Sequence, residues 1–282
     1  MRLAIDGGEP VRKKPFPAGK EIGDEELKLV TEVIKSRQLN MAGGEKVSQF
    51  EAHFADHYEV GHCIGTTSGT SALHVAVGGV DPNPCDEIIT APITDMGTII
   101  AILAQNAIPV FADIDPDTYT ITPESIRERI TDRTVAIIPV HLFGNPCDMD
   151  AIMEIAAEND LVVIEDTSQA YGTMYRGKRC GTIGNIGSFS LQQSKHITTG
   201  DGGLTITDDD DLGERIRLFA NKGWPDYSAK GARNYTQFGF CYRMNELTAA
   251  VGLAQLRKLD RITTCTPGRG SCLRRSSRES TG

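Results

Sequence analysis

The sequence predicts an α/β protein, a mostly parallel sheet covered by helices on both faces. Short β-branched runs alternate with segments of helical apolar spacing through most of the chain. Some of these runs, such as Thr134–Val140, are nearly continuously apolar, as a strand buried on both faces must be.

Taken in order, Asp24–Ser36 carries Leu27, Val30, Val33 and Ile34 on one helical face behind an acidic start. Val47–His57 is a second helix; a strand at His62–Thr66 follows, then a helix over Ser71–Val77. Glu87–Thr90 is a strand, Thr98–Gln105 a helix and Pro109–Ala112 a strand. Pro123 opens a short helix to Ile130, since proline is favoured in a first turn. Val135–Val140 is a buried strand, Met149–Asn159 a helix and Val162–Glu165 a strand. The turn-rich Gly177–Gly187 predicts a hairpin or loop crossing. Strands at Gly187–Leu191 and Gly203–Thr207 and helices at Leu212–Asn221 and Met244–Leu259 complete the pattern.

With 282 residues, 39% hydrophobic and 24% charged, the chain has the composition of a soluble globular protein. Its longest apolar stretches fall far short of the roughly 20 residues that span a bilayer. Residues 1–15 lack the apolar core of a secretory signal. A net charge of −9 argues against a broad nucleic-acid footprint. Residues 261–282 hold five arginines and one glutamate, +4, so residues 1–260 carry −13. The expected organisation is one domain over 1–260 and a basic, disordered tail over 261–282.

Seven cysteines without a CxxC pair fit scattered reduced thiols, and a cytoplasmic location is expected. His53 and His57 stand four apart on a helix, but with no HExxH and no third ligand they are expected to be a surface pair. No metal site is expected.

The GxGxxG, GxxxxGK[ST] and GxSxG motifs are all absent, which argues against a nicotinamide dehydrogenase, a P-loop nucleotidase and an α/β hydrolase. In parallel sheets ligands sit beyond the carboxyl ends of strands. Three constellations stand there. Ser68, Gly69, Thr70 and Ser71 open a helix after a strand, which serves equally as an anion site or as a helix cap. Glu165 and Asp166 close a hydrophobic strand, either as a desolvated carboxylate seeking a positive partner or as a cap in a turn. Lys195 follows the Gly187–Leu191 strand and precedes a glycine-rich loop, as a solvated surface charge or as a nucleophilic amine. Together they supply the parts that hold pyridoxal 5'-phosphate: a phosphate cradle, a carboxylate for the ring nitrogen and a lysine for the aldehyde.

At these residues the chain resembles the DegT/DnrJ/EryC1/StrS aminotransferases of fold type I. The likeness runs from Leu3 to Asp260 through TSGTSALH, HLFGNPCDMD, IEDTSQAYG, SFSLQQSKHITTGDGG and YRMNELTAAVGLAQL. LAIDGGEPVR and QQSK are most similar to the subgroup that aminates scyllo-inosose and its deoxy relatives. The resemblance implies a three-layer α/β/α large domain, and an aminotransferase that moves an amino group from glutamine or glutamate to a keto cyclitol or keto sugar. It also implies a homodimer, because each active site borrows residues across the interface. Lys195 matches the cofactor-linked lysine that also moves the proton; in the family's sugar dehydratases a histidine replaces it. Asp166 matches the partner of the pyridine nitrogen and Gln169 the residue near the phenolic oxygen. Ser68, Gly69, Thr70 and Ser190 match the phosphate contacts.

Three positions depart from the family. Where many members place a ring-stacking aromatic, TDMGT puts Asp95, or Met96 one residue on, and a carboxylate cannot stack. Cys241 replaces an asparagine that reaches the neighbouring subunit's phosphate, and it is a poor substitute for an amide. After Arg261 the pattern of the C-terminal small domain is not followed, so a truncated small domain is expected. The rival expectation is a homologue that holds the cofactor with little or no turnover.

Overall fold

The computed structural model describes residues 2–10, 13, 21–225 and 234–264. Its strands are β1 (His62–Thr66), β2 (Glu87–Thr90), β3 (Ile108–Phe111), β4 (Thr134–Ile138), β5 (Val162–Asp166), β6 (Met174–Tyr175), β7 (Lys178–Arg179), β8 (Ile186–Ser190) and β9 (Gly203–Thr207). Seven of them form one sheet in the order β1-β9-β8-β5-β4-β2-β3, and β6 and β7 form a small separate hairpin. The run from β3 to β8 is parallel, and β9 is antiparallel to both its neighbours, β8 and β1. β9 therefore runs against all the others. Pro109 lies in β3 at the sheet edge, where a missing N–H donor is tolerated.

The helices are α1 (Asp24–Ser36), α2 (Lys46–Tyr58), α3 (Gly69–Val80), α4 (Met96–Leu103), α5 (Pro123–Arg129), α6 (Met149–Asn159), α7 (Asp210–Ala220), α8 (Glu246–Leu256) and α9 (Leu259–Thr264). Side chains alternate across a strand, so a central strand that is apolar throughout feeds two cores at once. Ile88, Ala136, Ile138 and Ile164 join α3, α4 and α7 on one face, with Leu73, Val77, Ile102 and Phe219. Their neighbours Ile89, Ile137 and Val163 point the other way, onto Ile126 of α5 and Met149, Ile152 and Ile155 of α6. Phe189, Leu204 and Ile206 meet Phe50 and Phe54 of α2 and Ala249 and Leu253 of α8 on that same side. The three layers follow from this alternation.

Most expected elements stand within a residue or two of their predicted bounds. Three differ for physical reasons. α4 begins at Met96 rather than Thr98, because Asp95 caps it by accepting the Gly97 N–H at 2.8 Å. β5 includes Asp166, whose N–H still donates to Pro139 O at 2.9 Å. The single helix predicted over Met244–Leu259 is two, α8 and α9, and α8 starts where Asn245 caps it through the Thr248 N–H. The boundary expected at residue 260 falls inside α9. The strand pair of the expected hairpin is β6–β7: β6 precedes Gly177 and β7 lies inside the Gly177–Gly187 run. The tail beyond Thr264 lies outside the described residues.

Candidate active site

A cleft of about 430 Å³ opens at the carboxyl ends of β1, β2, β5 and β8. It brings together every residue predicted for the site: Ser68, Gly69, Thr70, Asp166, Gln169, Ser190 and Lys195 all line it.

The cradle is the first turn of α3. Ser68 caps the helix: its hydroxyl accepts the Ser71 N–H at 3.0 Å while the Ser68 N–H donates to the Ser71 hydroxyl at 2.8 Å. Capping and cradle are compatible here, because the cap leaves first-turn N–H groups of α3 without helical partners beside the cleft. Gly69 is required by packing. A Cβ there would lie 2.5 Å from Ser190 Cβ, so only glycine lets α3 approach the end of β8 this closely.

Asp166 is 5% exposed and ends β5 at the cleft floor. Its Oδ2 accepts the Thr98 hydroxyl at 2.8 Å and its Oδ1 the Ser168 N–H at 3.1 Å. The Thr98 hydroxyl has one proton, given to Asp166, so the Thr94 hydroxyl 2.8 Å away donates to Thr98 in turn. A buried carboxylate with its oxygens oriented this way is placed to meet a cationic N–H.

Gln169 is oriented by its oxygen. Oε1 accepts the Phe143 N–H at 3.0 Å, which leaves the amide N–H groups as the side that can donate to a ligand. Phe143 adopts a left-handed backbone, φ 54°, to present that N–H. The preceding residue pair clasps the strand itself: the His141 N–H donates to Asp166 O at 3.1 Å.

Lys195 is half-buried on the connection between β8 and β9, and its N–H donates to Gln192 O at 2.9 Å. Ser190 ends β8, and its hydroxyl accepts the Gln192 N–H at 3.3 Å.

Of the two residues considered for the stacking position, Asp95 lines the cleft, whereas Met96 is not among the lining residues and is 57% exposed. Cys241 is exposed, paired through its backbone with Asn221, and outside the cleft lining. His53 is exposed and His57 half-buried, with Nε2 of His57 3.6 Å from Asp260.

Sequence reasoning missed Thr94, Thr98 and Ser168 as partners around Asp166. The TDMGT run held the signal for Thr98, three residues after the cap at Asp95. It also missed the clasp behind Asp166. Glu165 is fully buried; its Oε2 accepts His141 Nε2–H at 2.8 Å and Gly181 N–H at 2.7 Å, and its Oε1 accepts the N–H groups of Ile183 and Gly184, both at 2.7 Å. Cys180 stands beside this pair, so by distance the three could hold a metal. Glu165, however, has both oxygens committed to protein donors. Burial pushes the Cys180 thiol up to about 12, further from a ligating thiolate. The cluster is a structural clasp.

A phosphate cradle, an oriented carboxylate, an amide donor and a lysine amine in one cleft form a donor set suited to pyridoxal phosphate. The sequence as a whole decides the family: a model of the DegT/DnrJ/EryC1/StrS aminotransferase family matches residues 20–276. The chain belongs to this family. The match runs beyond Asp260, the limit expected from the resemblance. Among relatives of this DegT-family chain is the spore coat polysaccharide biosynthesis protein SpsC of Bacillus subtilis, 40% identical over 85% of this chain and 63% of the relative. The L-glutamine:2-deoxy-scyllo-inosose aminotransferase of Streptomyces kanamyceticus is 35% identical over 93% of this chain and 64% of its own length. A solved structure of NtdA from Bacillus subtilis with bound cofactor PMP superposes with a TM-score of 0.76 at 32% identity, covering 83% of this chain and 52% of that one. The DegT-family chain thus spans less than two thirds of the length of each. No helix among the described residues is long and apolar enough to cross a membrane.

Proposed function

We propose that this chain holds pyridoxal 5'-phosphate in the cleft and serves an aminotransferase that moves an amino group from glutamine or glutamate to a keto sugar or keto cyclitol. The observation that carries the reading is that the α3 cradle, Asp166 and Lys195 line one cleft. When bound, the cofactor supplies an electron sink for the pair released at the donor's α-carbon.

The chain's residues have separate tasks. Gly69 and Thr70, with the Ser190 hydroxyl, bind the phosphate at the start of α3, and Ser68 keeps that helix end in shape. Asp166 accepts the ring N–H and keeps it protonated, with Thr98 and Ser168 fixing its oxygens. Gln169 donates its amide N–H to the phenolic oxygen, since its own oxygen is held by Phe143. Lys195 Nζ would hold the cofactor at its aldehyde carbon at rest and, once displaced from that carbon by the donor's amine, would be the free base that takes the α-proton.

We also read the working form as a cytoplasmic homodimer. An exposed apolar face supports a second copy: Met96, Ile100 and Leu103 of α4 stand beside Ile108 and Phe111 of the edge strand β3.

The test is the visible spectrum of the 282-residue chain with added pyridoxal phosphate, before and after borohydride, for wild type and Lys195→Ala. A reducible yellow band that depends on Lys195 is expected; a colourless wild type sinks the reading. Adding glutamine or glutamate should bleach the band. Colour that no amine shifts would leave a cofactor-holding homologue without turnover.

A further inference from the structure

The first turn of α4 bridges the two ends of the cleft. At one end Gly97 meets the cradle: a Cβ on Gly97 would lie 2.7 Å from Thr70 Oγ1 and 2.9 Å from Asp95 Oδ1. At the other end, one residue on, Thr98 donates to Asp166. A molecule with its phosphate at α3 and its ring nitrogen at Asp166 must lay its ring along this turn. Asp95 caps the turn and lines the cleft. Only its Oδ1 is engaged, by the Gly97 N–H; Oδ2 has no hydrogen-bond partner among the described residues. None of the described residues lining the cleft is aromatic.

We propose that Asp95 is a cofactor-facing residue that holds the ring by charge where a stacking ring would hold it by contact. This rests on the cofactor reading above. Asp166 keeps the ring nitrogen protonated, so the bound ring is cationic. A carboxylate beside a cation lowers its energy by direct charge–charge attraction, whereas an aromatic face offers only its weaker quadrupole and contact. The charged groups on the cleft wall are Asp95 from the α4 cap, Asp166 from β5, and Lys195 and Asp201 from the β8–β9 connection. Asp166 is needed at the ring nitrogen and Lys195 at the aldehyde; Asp95 and Asp201 are both exposed, and of the two it is Asp95 that caps the turn along which the ring lies.

The experiment is a pH titration of the visible band of the 282-residue chain loaded with pyridoxal phosphate. A nearby carboxylate favours the protonated chromophore, so wild type should titrate at the higher pH. Asp95→Asn keeps an equally good helix cap and should lower the midpoint by about one pH unit. Asp95→Ser, a second good cap, should do the same, which separates charge from folding. Asp201→Asn should leave the midpoint in place. A wild-type midpoint in both Asp95 variants overturns the inference while the cofactor reading stands. An equal shift in Asp201→Asn also overturns it, since the effect would then belong to the cleft's general charge. A wild-type chain with no band overturns both readings.

Discussion

His141 donates its Nε2–H to Glu165 Oε2 at 2.8 Å, with neither side chain exposed to solvent. The Cys147 N–H donates to His141 Nδ1 at 3.2 Å, so the ring proton sits on Nε2 and the tautomer is fixed. Glu165 thus gathers β4's exit, β5 and the Gly181–Gly184 turn behind the residue that meets the ring nitrogen. Glu165→Gln would turn an amide N–H₂ toward buried N–H donors and remove the charge. Urea unfolding should show a loss of roughly 3 kcal/mol. A loss below about 1 kcal/mol, the size of one ordinary hydrogen bond, would mean the clasp is dispensable.

Thr98 should matter to the cofactor more than to the fold. Thr98→Val keeps the shape and removes the donor to Asp166. Pyridoxal phosphate affinity, measured by absorbance titration, should fall about tenfold, while Thr98→Ser stays near wild type. Equal losses in both variants would point to packing instead.

Gly69→Ala tests the contact between α3 and β8. The added methyl has Ser190 Cβ 2.5 Å away and cannot be accommodated without moving backbone. The cost should be about 1–3 kcal/mol, with the phosphate site displaced. Far-UV circular dichroism should be retained and the cofactor band lost. A full band would show that the cradle tolerates the shift.

His74 on α3 is held neutral. Burial lowers its pKa to about 4, while Nδ1 meets the Tyr242 hydroxyl at 3.0 Å. The unfolded chain takes up this proton near pH 6.5 and the folded one does not, so stability present above pH 6.5 is lost as pH falls toward 4. The loss attributable to this group is roughly 3 kcal/mol. His74→Gln should flatten the slope of unfolding free energy between pH 6.5 and 4; an unchanged slope would assign it to other groups.

Much of the architecture could be read from periodicity, because strands such as Thr134–Ile138 feed apolar side chains to both faces. Asp166 and Lys195 were visible because strand ends are where parallel sheets place chemistry. The α4 start was placed two residues late, since Asp95-Met96-Gly97 lacks apolar spacing and its cap shows only as a hydrogen bond. The Glu165–His141 pair was invisible for a different reason. The two lie 24 residues apart on neighbouring strand exits, and nothing in their local spacing encodes that proximity. Likewise the orientation of Gln169 depends on Phe143, which no helical or strand period connects to it.

The reversed direction of β9 has a mechanical consequence. β8 returns at once through residues 191–202, with no helix in between, and both roots of that connection are tied. Leu191 N–H donates to Gly202 O at 2.8 Å, Thr199 N–H to Leu191 O at 3.0 Å, and Thr198 hydroxyl to Leu191 O at 2.9 Å. Lys195 is therefore a short crane on a bolted base. The tied roots fix where its stem leaves the backbone, so the torsions of its own four methylenes set the reach of its amine into the cleft.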